Sequence, residues 1–293
     1  SEGIGVKDIK SIDYANRIVE WYVSFTSEGK EVTNFNLSDK LPSGLTMKPY
    51  ADGSTFKMVK GNADDIQLNN ANGTITASVA GPKTVDVAFT YQTTYDEIPV
   101  VDGFTGSSNT ANFTWDGKTS TGNTLPKTAV FTPKGSHIAN AEKSGTYNYA
   151  TRTFHWTAAV NLDRKAITTI TDTLGTGHKL VADSVKVYNA TIGADGSVTK
   201  GEATDDFNIT KTDTSFTLTP KSATSKPYYI EYETKDADHI IGQEDGSGLY
   251  ENKIVVNNGV ETTASVTIDR PNELVTKKGT ENPKNSAIDW TVD

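Results

Sequence analysis

The chain contains no cysteine among its 293 residues, so it has neither disulfide bonds nor thiolate ligands for zinc or iron–sulfur clusters. It also lacks any run of about 18 apolar residues, which excludes a membrane-spanning helix. The formal net charge is −9 with no basic block, which argues against a nucleic-acid-binding surface. The four histidines are scattered without metal-ligand spacing. We therefore expect no metal, no cofactor and no enzymatic activity toward other molecules.

What remains is a composition that suits two β-rich domains. The length suggests two domains of ordinary size, and 4 Trp, 12 Tyr and 10 Phe can supply their cores although apolar residues make up only 35%. Apolar side chains alternate along short stretches such as Phe154–Val160 and Tyr228–Tyr232, and Asn-Gly or Asp-Gly pairs recur between such stretches. The pattern predicts an all-β fold made of β-sandwiches.

Three tryptophans mark an internal repeat. Trp21, Trp156 and Trp290 each follow a strand-like stretch, and they are separated by 135 and 134 residues. Each has a Lys 11 to 14 residues upstream, and in the first two units an Asp, a Tyr and an Asn then follow in the same order. A period of this length indicates domain duplication rather than a short solenoid repeat.

The repeat also sets the predicted boundaries. Unit 1 is predicted to be residues 1–128, unit 2 residues 129–271, and residues 272–293 the linker and start of a third unit. The polar stretch 117–124 is predicted to be a loop on the way to the junction. Because a new repeat begins near the end of the chain, we expect the chain to be a fragment of a longer protein.

The sequence of unit 2 resembles a known family. The resemblance is carried by Phe154–Asn161, Ile170–Gly177 and Asp183–Tyr188, while Tyr229–Thr234 fits the penultimate strand. These segments are similar to the collagen-binding-type domain of Gram-positive surface adhesins. Unit 1 matches more loosely, since Ser24–Thr26 replaces the family's Val-Asn ending and two extra residues lie between its Trp and its Asp.

This resemblance implies a fold, a location and a covalent modification. Each unit is expected to be a Greek-key, variant immunoglobulin-like β-sandwich. The parent protein is expected to be secreted and anchored by sortase to the peptidoglycan of a Gram-positive cell wall, so these domains would be extracellular. Many such domains contain a spontaneous Lys–Asn isopeptide bond that an acidic residue promotes.

Isopeptide formation makes definite physical demands. The Lys amine must be neutral to attack, so it needs an apolar pocket that lowers its pKa. An Asn side-chain amide must lie within attacking distance. A buried, protonated carboxylic acid must hydrogen-bond the amide carbonyl and move protons. In unit 2 the family-matched residues are Lys143 on the first strand, Asp172, and Asn252 on the last strand.

In unit 1 the matching set is Lys10, Asp39 and Asn109. Two alternatives stay open. Lys7 competes with Lys10, because the Lys-to-Trp distance is 14 or 11 residues here against 13 in unit 2, and Asn112 competes with Asn109. Asp39 and its unit 2 counterpart are the predicted catalytic residues, for cross-linking only, and the Lys and Asn residues are the predicted bond partners.

Two functions are compatible with tandem sandwiches. The first, which the repeat favours, is a stiff stalk that holds a binding tip away from the cell wall. The second is a region that clamps an extracellular-matrix protein such as collagen between two sandwiches, with residues 272–293 as a latch that adds a strand to a sheet edge. Lys277, Lys278 and Trp290 favour another repeat over a latch. No ligand-binding residue is predicted.

Overall fold

A computed structural model describes residues 3–98, 103–236, 248–268 and 288–289 of the chain. The chain divides into two units: Ser1–Pro99 with Thr105–Thr132 form unit 1, and Val100–Phe104 with Pro133–Asp293 form unit 2. The predicted boundary after residue 128 falls inside a strand that ends at Phe131 and pairs along its whole length with its neighbour. The division lies four residues later, because this pairing holds residues 123–131 in unit 1.

Unit 1 is a sandwich in which one long strand belongs to both sheets. Its strands are β1 (Ile4–Asp13), β2 (Ile18–Lys40), β3 (Thr46–Lys48), β4 (Lys57–Lys60), β5 (Gln67–Ala71), β6 (Thr74–Val79), β7 (Lys83–Thr94), β8 (Ser107–Gly117) and β9 (Asn123–Phe131). The first half of β2 pairs with β1 and β7, while its second half pairs with β6 and β8. The front sheet is therefore β1–β2–β7 with β3 and β4 on the far edge of β7, and the back sheet is β5–β6–β2–β8–β9.

Unit 2 begins with a short helix, α1 (Gly135–Ala139), and repeats the same layers with separate strands. They are β10 (Ala141–Asn148), β11 (Thr153–Val160), β12 (Ile170–Leu174), β13 (His178–Leu180), β14 (Lys186–Ile192), β15 (Val198–Ala203), β16 (Phe207–Lys211), β17 (Ser215–Pro220), β18 (Tyr228–Asp236), β19 (Leu249–Val256), β20 (Glu261–Thr267) and β21 (Ile288–Asp289). The front sheet is β15–β14–β18–β11–β10, with β13 also on β18, and the back sheet is β16–β17–β12–β19–β20.

The two units share one strand order. Each starts with a hairpin in the front sheet, crosses to the back sheet, returns through the β7 or β18 strand, and ends with two back-sheet strands. Such repeated crossing between two antiparallel sheets is typical of an immunoglobulin-like sandwich. The predicted all-β, immunoglobulin-like fold is confirmed. In the part of the chain that the structure describes, no helix is long and apolar enough to cross a membrane.

Alternating side chains build the core of each sandwich. Phe154, Trp156, Ala158 and Val160 are all buried, as the period of two predicts, while His155 points outward and is exposed. Each central indole also satisfies its polar atom, because Nε1 of Trp156 donates to Thr234 Oγ1 at 2.9 Å and Nε1 of Trp21 donates to Thr93 Oγ1 at 2.9 Å. The tryptophans that mark the sequence repeat are thus the centres of the two cores.

The segment after residue 271 is described only at β21. Ile288 and Asp289 pair in parallel with Ser144 and Gly145 of β10, at the edge of the front sheet of unit 2. The rest of the predicted third unit or latch, including Trp290, lies outside the described residues. The choice between these two interpretations stays a prediction.

Candidate cross-linking sites

In unit 2, strand register brings Lys143, Asp172 and Asn252 to one place between the sheets. Lys143 lies on β10 two residues before Gly145, which is the residue opposite Trp156. Asp172 on β12 lies opposite Ile254 of β19, and Asn252 is two residues before Ile254. Because side chains two residues apart share a face of a strand, all three side chains project into the core.

The side chains meet there around a tyrosine. Lys143 Nζ lies 2.8 Å from Asp172 Oδ2 and also donates to the hydroxyl of Tyr232. That hydroxyl donates to Asp172 Oδ2 at 2.7 Å. The Lys143 amine lies 5.7 Å from the centre of the Trp156 ring, so the core indole forms a wall of the pocket. These groups are shielded from water, and Asn252 beside them is 1% exposed.

Burial changes the acid–base properties of this cluster. Loss of hydration raises the pKa of Asp172, although the neighbouring Lys143 and the hydrogen bond from Tyr232 oppose the shift. Burial also raises the pKa of the Tyr232 hydroxyl, with the Asp172 charge adding to the effect. Burial thus shifts Asp172 toward its protonated form and keeps the Tyr232 phenol neutral.

In unit 1 the same arrangement is built by Lys7, Asp39, Tyr91 and Asn109. Lys7 Nζ contacts Asp39 Oδ2 and donates to the Tyr91 hydroxyl. Tyr91 donates to Asp39 Oδ2 at 2.9 Å, and Asn109 Nδ2 lies 2.9 Å from the Tyr91 hydroxyl oxygen, to which it donates. The register is also the same, since Asp39 lies opposite Ala111 and Asn109 is two residues before it.

Burial makes the Lys7 amine a weaker base. Loss of hydration lowers the pKa of Lys7 to about 8, and the charge and hydrogen bond of Asp39 limit the shift. A lysine with this pKa has an appreciable neutral fraction near neutral pH, whereas an ordinary surface lysine has almost none. Lys7 thus meets the first demand of a nucleophilic amine.

Lys10, the residue predicted to form the cross-link in unit 1, lies outside the buried cluster. Its side chain is 54% exposed and lies 3.9 Å from Glu20 at the surface. Lys10 occupies a β-bulge: Ile9 pairs with Trp21 and Ser11 with Glu20, so Lys10 has no opposite residue in the ladder. This extra residue lengthens the Lys-to-Trp distance from 13 to 14 and makes Lys7 the counterpart of Lys143. Of the two Asn candidates, Asn112 is exposed and Asn109 is buried.

The asparagines do not lie on the last strands. Asn109 is in β8, which β9 follows in unit 1, and Asn252 is in β19, which β20 and β21 follow in unit 2. In unit 1 the further strand, β9, begins at Asn123, at the end of the polar stretch 117–124 that was predicted to be a loop. A bond at these asparagines would join the first strand of each unit to the back-sheet strand that comes just before β9 or β20.

Tyr91 and Tyr232 were not predicted as site residues. Their hydroxyls touch both the amine and the carboxyl group in each unit. The sequence did carry a signal, because a Tyr holds the same place in the Lys, Trp, Asp, Tyr, Asn order of both units. Periodicity alone assigned these residues to the core, where their rings do lie.

The clusters leave matching polar atoms without partners. Among the described residues, Oδ1 of Asp39 and Oδ1 of Asn109 are buried and make no hydrogen bond, and the same holds for Oδ1 of Asp172 and for both polar atoms of Asn252. An unsatisfied buried polar atom costs about 1–3 kcal/mol. A protonated Asp that donates to the Asn carbonyl would satisfy one atom on each side.

His178 is buried beside the unit 2 core and is fully engaged. Trp156 already donates to Thr234 Oγ1, so the Thr234 hydroxyl donates to His178 Nδ1 at 2.8 Å, and Nε2–H donates to the Glu251 carbonyl at 2.9 Å. Burial lowers the pKa of His178 to about 4. Both nitrogens are used, and within the described ranges no group of three His, Asp or Glu side chains is placed to hold a metal ion.

This geometry defines a class: an immunoglobulin-like sandwich with a buried Lys–Asp–Asn cluster between its sheets. Residues 139–266 match the family model described as the collagen binding domain. The matched residues occupy nearly all of the described part of unit 2. The resemblance found in the sequence of that unit is confirmed. No curated protein sequence matches the chain.

Solved structures that match the chain include bacterial surface proteins. The Enterococcus faecalis MSCRAMM ACE, which binds its ligands by the collagen hug model, is 15% identical, with 98% of this chain and 94% of that chain covered and a TM-score of 0.32. The collagen binding domain of Erysipelothrix rhusiopathiae surface protein RspB is 16% identical (98% and 91% covered, TM-score 0.30). BcpA, the major pilin subunit of Bacillus cereus, is 11% identical (100% and 70%, 0.37). No functional residue is transferred from them at this level of similarity.

Proposed function

We propose that the chain is part of a Gram-positive surface adhesin in which each sandwich is locked by an isopeptide bond, Lys7 to Asn109 and Lys143 to Asn252. The supporting observation is that two units with different backbones bury the same reactive groups in the same register. Tandem locked sandwiches suit a stiff extracellular stalk. Sortase anchoring of the longer parent to peptidoglycan is part of this proposal.

The proposed reaction joins Lys Nζ to the side-chain carbonyl carbon of Asn and releases the amide nitrogen as ammonia. The neutral amine attacks the carbon while the protonated carboxyl group, Asp39 or Asp172, hydrogen-bonds the carbonyl oxygen. One proton passes from Nζ to the leaving nitrogen, and the carboxyl group ends the reaction protonated. The lowered pKa of Lys7 and the raised pKa of Asp172 both favour these starting forms.

Such a bond would change how each unit responds to force. It would close a loop from Lys7 to Asn109 or from Lys143 to Asn252, so these residues could not extend when the chain is pulled. Strands outside the loops, such as β9 and β20, could still detach. At about 3.4 Å per residue, the loop in unit 2 would withhold about 370 Å of extension.

The intact mass of the denatured chain tests this proposal. Each bond removes one ammonia, about 17 Da, a covalent change that survives unfolding. We expect a deficit of two ammonias in the unaltered chain and of one in either Lys7→Ala or Lys143→Ala. Lys10→Ala is the matched control and should keep both deficits. An unaltered chain at its full sequence mass would refute both bonds.

The Lys variants also exclude another source of mass loss. Asn72-Gly73 and Asn258-Gly259 lie at exposed turns, and an Asn-Gly pair can lose ammonia by closing a succinimide ring. That loss does not depend on Lys7 or Lys143. A deficit that stays as large in Lys7→Ala and in Lys143→Ala as in the unaltered chain would therefore be assigned to the turns and would count against the cross-links.

A ligand-binding region is the second candidate function. It is favoured by the match of residues 139–266 to a family described as a collagen binding domain. In this function an extracellular-matrix protein such as collagen would be held between the two sandwiches. Surface plasmon resonance on immobilised collagens tests it, with unit 2 expected to be necessary for any response. No response at tens of micromolar would exclude collagen as the ligand.

A further inference from the structure

The hydroxyl of Tyr91 touches every reacting group of the unit 1 site. It accepts a hydrogen bond from Lys7 Nζ, donates to Asp39 Oδ2 at 2.9 Å, and accepts from Asn109 Nδ2 at 2.9 Å. It therefore lies between the nitrogen that attacks and the nitrogen that leaves. Neither the family match nor the sequence pattern assigns a reactive role to this residue.

The cross-linking reaction needs a group in this place. Attack leaves the Lys nitrogen with one proton more than the product amide holds, and the leaving nitrogen needs one proton more to depart as ammonia. The carboxyl group of Asp39 is aligned with Lys7 through Oδ2, and none of its described hydrogen bonds reaches Asn109. A direct transfer between the two nitrogens would pass through a strained four-membered ring.

We propose that the Tyr91 hydroxyl carries this proton. Once attack has turned the Asn109 amide into a tetrahedral centre with a basic nitrogen, the hydroxyl turns its own proton from Asp39 Oδ2 to Asn109 Nδ2 and accepts one from Lys7 Nζ. This inference rests on the proposed cross-link and adds a catalytic residue to it. The C–N bond to Lys7 forms, the C–N bond to the Asn109 nitrogen breaks, and ammonia takes the transferred proton. Tyr91 ends with one proton, as it began, so no other reactant is needed.

The surroundings of Tyr91 suit a relay rather than a base. Burial raises the pKa of its hydroxyl well above the usual value, so a lasting phenolate is disfavoured. A hydroxyl that stays neutral can still accept one proton and donate another in a single concerted step. Its ring is fixed by edge-on packing against Phe56, which holds the hydroxyl in position.

Unit 2 has the same hydroxyl in a different setting. Tyr232 contacts Lys143 and Asp172, but within the described residues Asn252 Nδ2 has no hydrogen-bond partner. The contact to the leaving nitrogen, which makes Tyr91 a relay, is thus formed only in unit 1 of the two described sites. We expect loss of the hydroxyl to slow unit 1 more than unit 2.

The test measures how fast the bond forms in newly made protein. The full chain is synthesised in a cell-free system, samples are quenched in acid and denaturant, and the linked peptides that contain Lys7 and Asn109 are quantified by mass spectrometry after digestion. We expect Tyr91→Phe to slow linkage at least about a hundredfold, the lower end of the usual contribution of general acid–base catalysis. Tyr22→Phe, which removes a hydroxyl from the outer face of β2, should leave the rate unchanged.

The outcomes separate this inference from the cross-link itself. If the unaltered chain yields no linked peptide, the proposed function fails. If the unaltered chain links but Tyr91→Phe links equally fast, the relay is refuted while the bond stands. Should Tyr91→Phe not fold, 3,5-difluorotyrosine at position 91 keeps the hydroxyl and makes it more acidic. A relay requires that this change the rate relative to the same substitution at Tyr22, and equal rates would overturn it.

Discussion

Units 1 and 2 reach the same cluster with different backbones. In unit 1 a single strand, β2, passes from the front to the back sheet through residues 27–34, where Glu28, Gly29 and Asn34 adopt positive φ. In unit 2 the chain leaves β11, makes a turn, and starts β12 at Ile170. The spacing of Trp to Asp differs by two residues as a result, yet the pairing of Asp with its neighbours is the same. The two units therefore share the register in which their strands pair, although the number of residues between Trp and Asp differs.

The units also differ in what surrounds the shared cluster. Trp156 donates a hydrogen bond to Thr234, whose hydroxyl also contacts the buried His178. The corresponding hydrogen bond of Trp21 goes to Thr93, and unit 1 has no histidine beside it. All four histidines of the chain lie after residue 132, so unit 1 has none. The Lys, Asp, Tyr and Asn that both units share are the groups of the proposed cross-linking reaction. His178, which only unit 2 has, is expected to affect the stability of that unit alone.

The largest effect is expected from Asp172→Ala. The change should abolish the unit 2 bond and leave Lys143 buried without its carboxylate, which alone costs about 3–5 kcal/mol. Loss of a cross-link adds a few kcal/mol by analogy with disulfides. Calorimetry should show the unit 2 transition shifted down and the unit 1 transition unchanged, and the mass deficit should fall to one ammonia. A deficit of two ammonias in this variant would show that Asp172 is dispensable.

Acid should destabilise unit 2 through His178 and spare unit 1. The pKa of His178 is lowered to about 4 in the folded state against 6.5 when unfolded. The unfolded chain therefore binds a proton first as the pH falls, so stability present above pH 6.5 is lost between pH 6.5 and 4, by up to about 3 kcal/mol. His178→Gln should flatten this dependence, and His155→Gln, at an exposed position, should not. Equal acid loss in His178→Gln and the unaltered chain would contradict the assignment.

Much of the fold could be predicted because its signals are local. Alternation along Phe154–Val160 and the recurring turns require only the sequence, and the repeated Trp placed both cores correctly. The strand β9 was missed because residues 117–124 are polar and lead into Pro126, a residue that usually interrupts a ladder. Here Pro126 lies in the last strand of unit 1, where its missing N–H does not prevent pairing with Asn112.

The site was predicted less completely because it depends on pairing between distant strands. The number of residues between the Lys and Trp21 could not distinguish Lys7 from Lys10. The β-bulge at Lys10 adds one residue to β1, while the residues before it still pair with β2 in the same register as in unit 2. Nor could counting show that a Tyr hydroxyl lies between the amine and the carboxyl group. Both facts depend on which residues face each other across two sheets, and no local pattern encodes that.

A moderate effect is expected where the two cores differ opposite Trp. Gly145 faces Trp156, and a Cβ there would lie 2.4 Å from the indole ring, while Ile9 holds the equivalent place opposite Trp21. Gly145→Ala should thus cost unit 2 about 1–3 kcal/mol by overpacking. Ile9→Ala, which puts the same side chain into unit 1, should cost about 1 kcal/mol through lost contacts. Denaturant unfolding of the two variants would measure both, and a neutral Gly145→Ala would mean that the ring moves freely.

The smallest effect is expected from Lys10→Ala, and its smallness is informative. Lys10 is exposed at the bulge and its ion pair with Glu20 spans 3.9 Å, so its removal should change stability by less than about 0.5 kcal/mol. Lys7→Ala, three residues away on the same strand, should cost several kcal/mol because it empties the buried pocket and leaves Asp39 unpaired. Chemical denaturation followed by tryptophan fluorescence would compare the two. A large loss in Lys10→Ala would mean that the bulge, rather than the register around Lys7, holds the first strand of unit 1 in place.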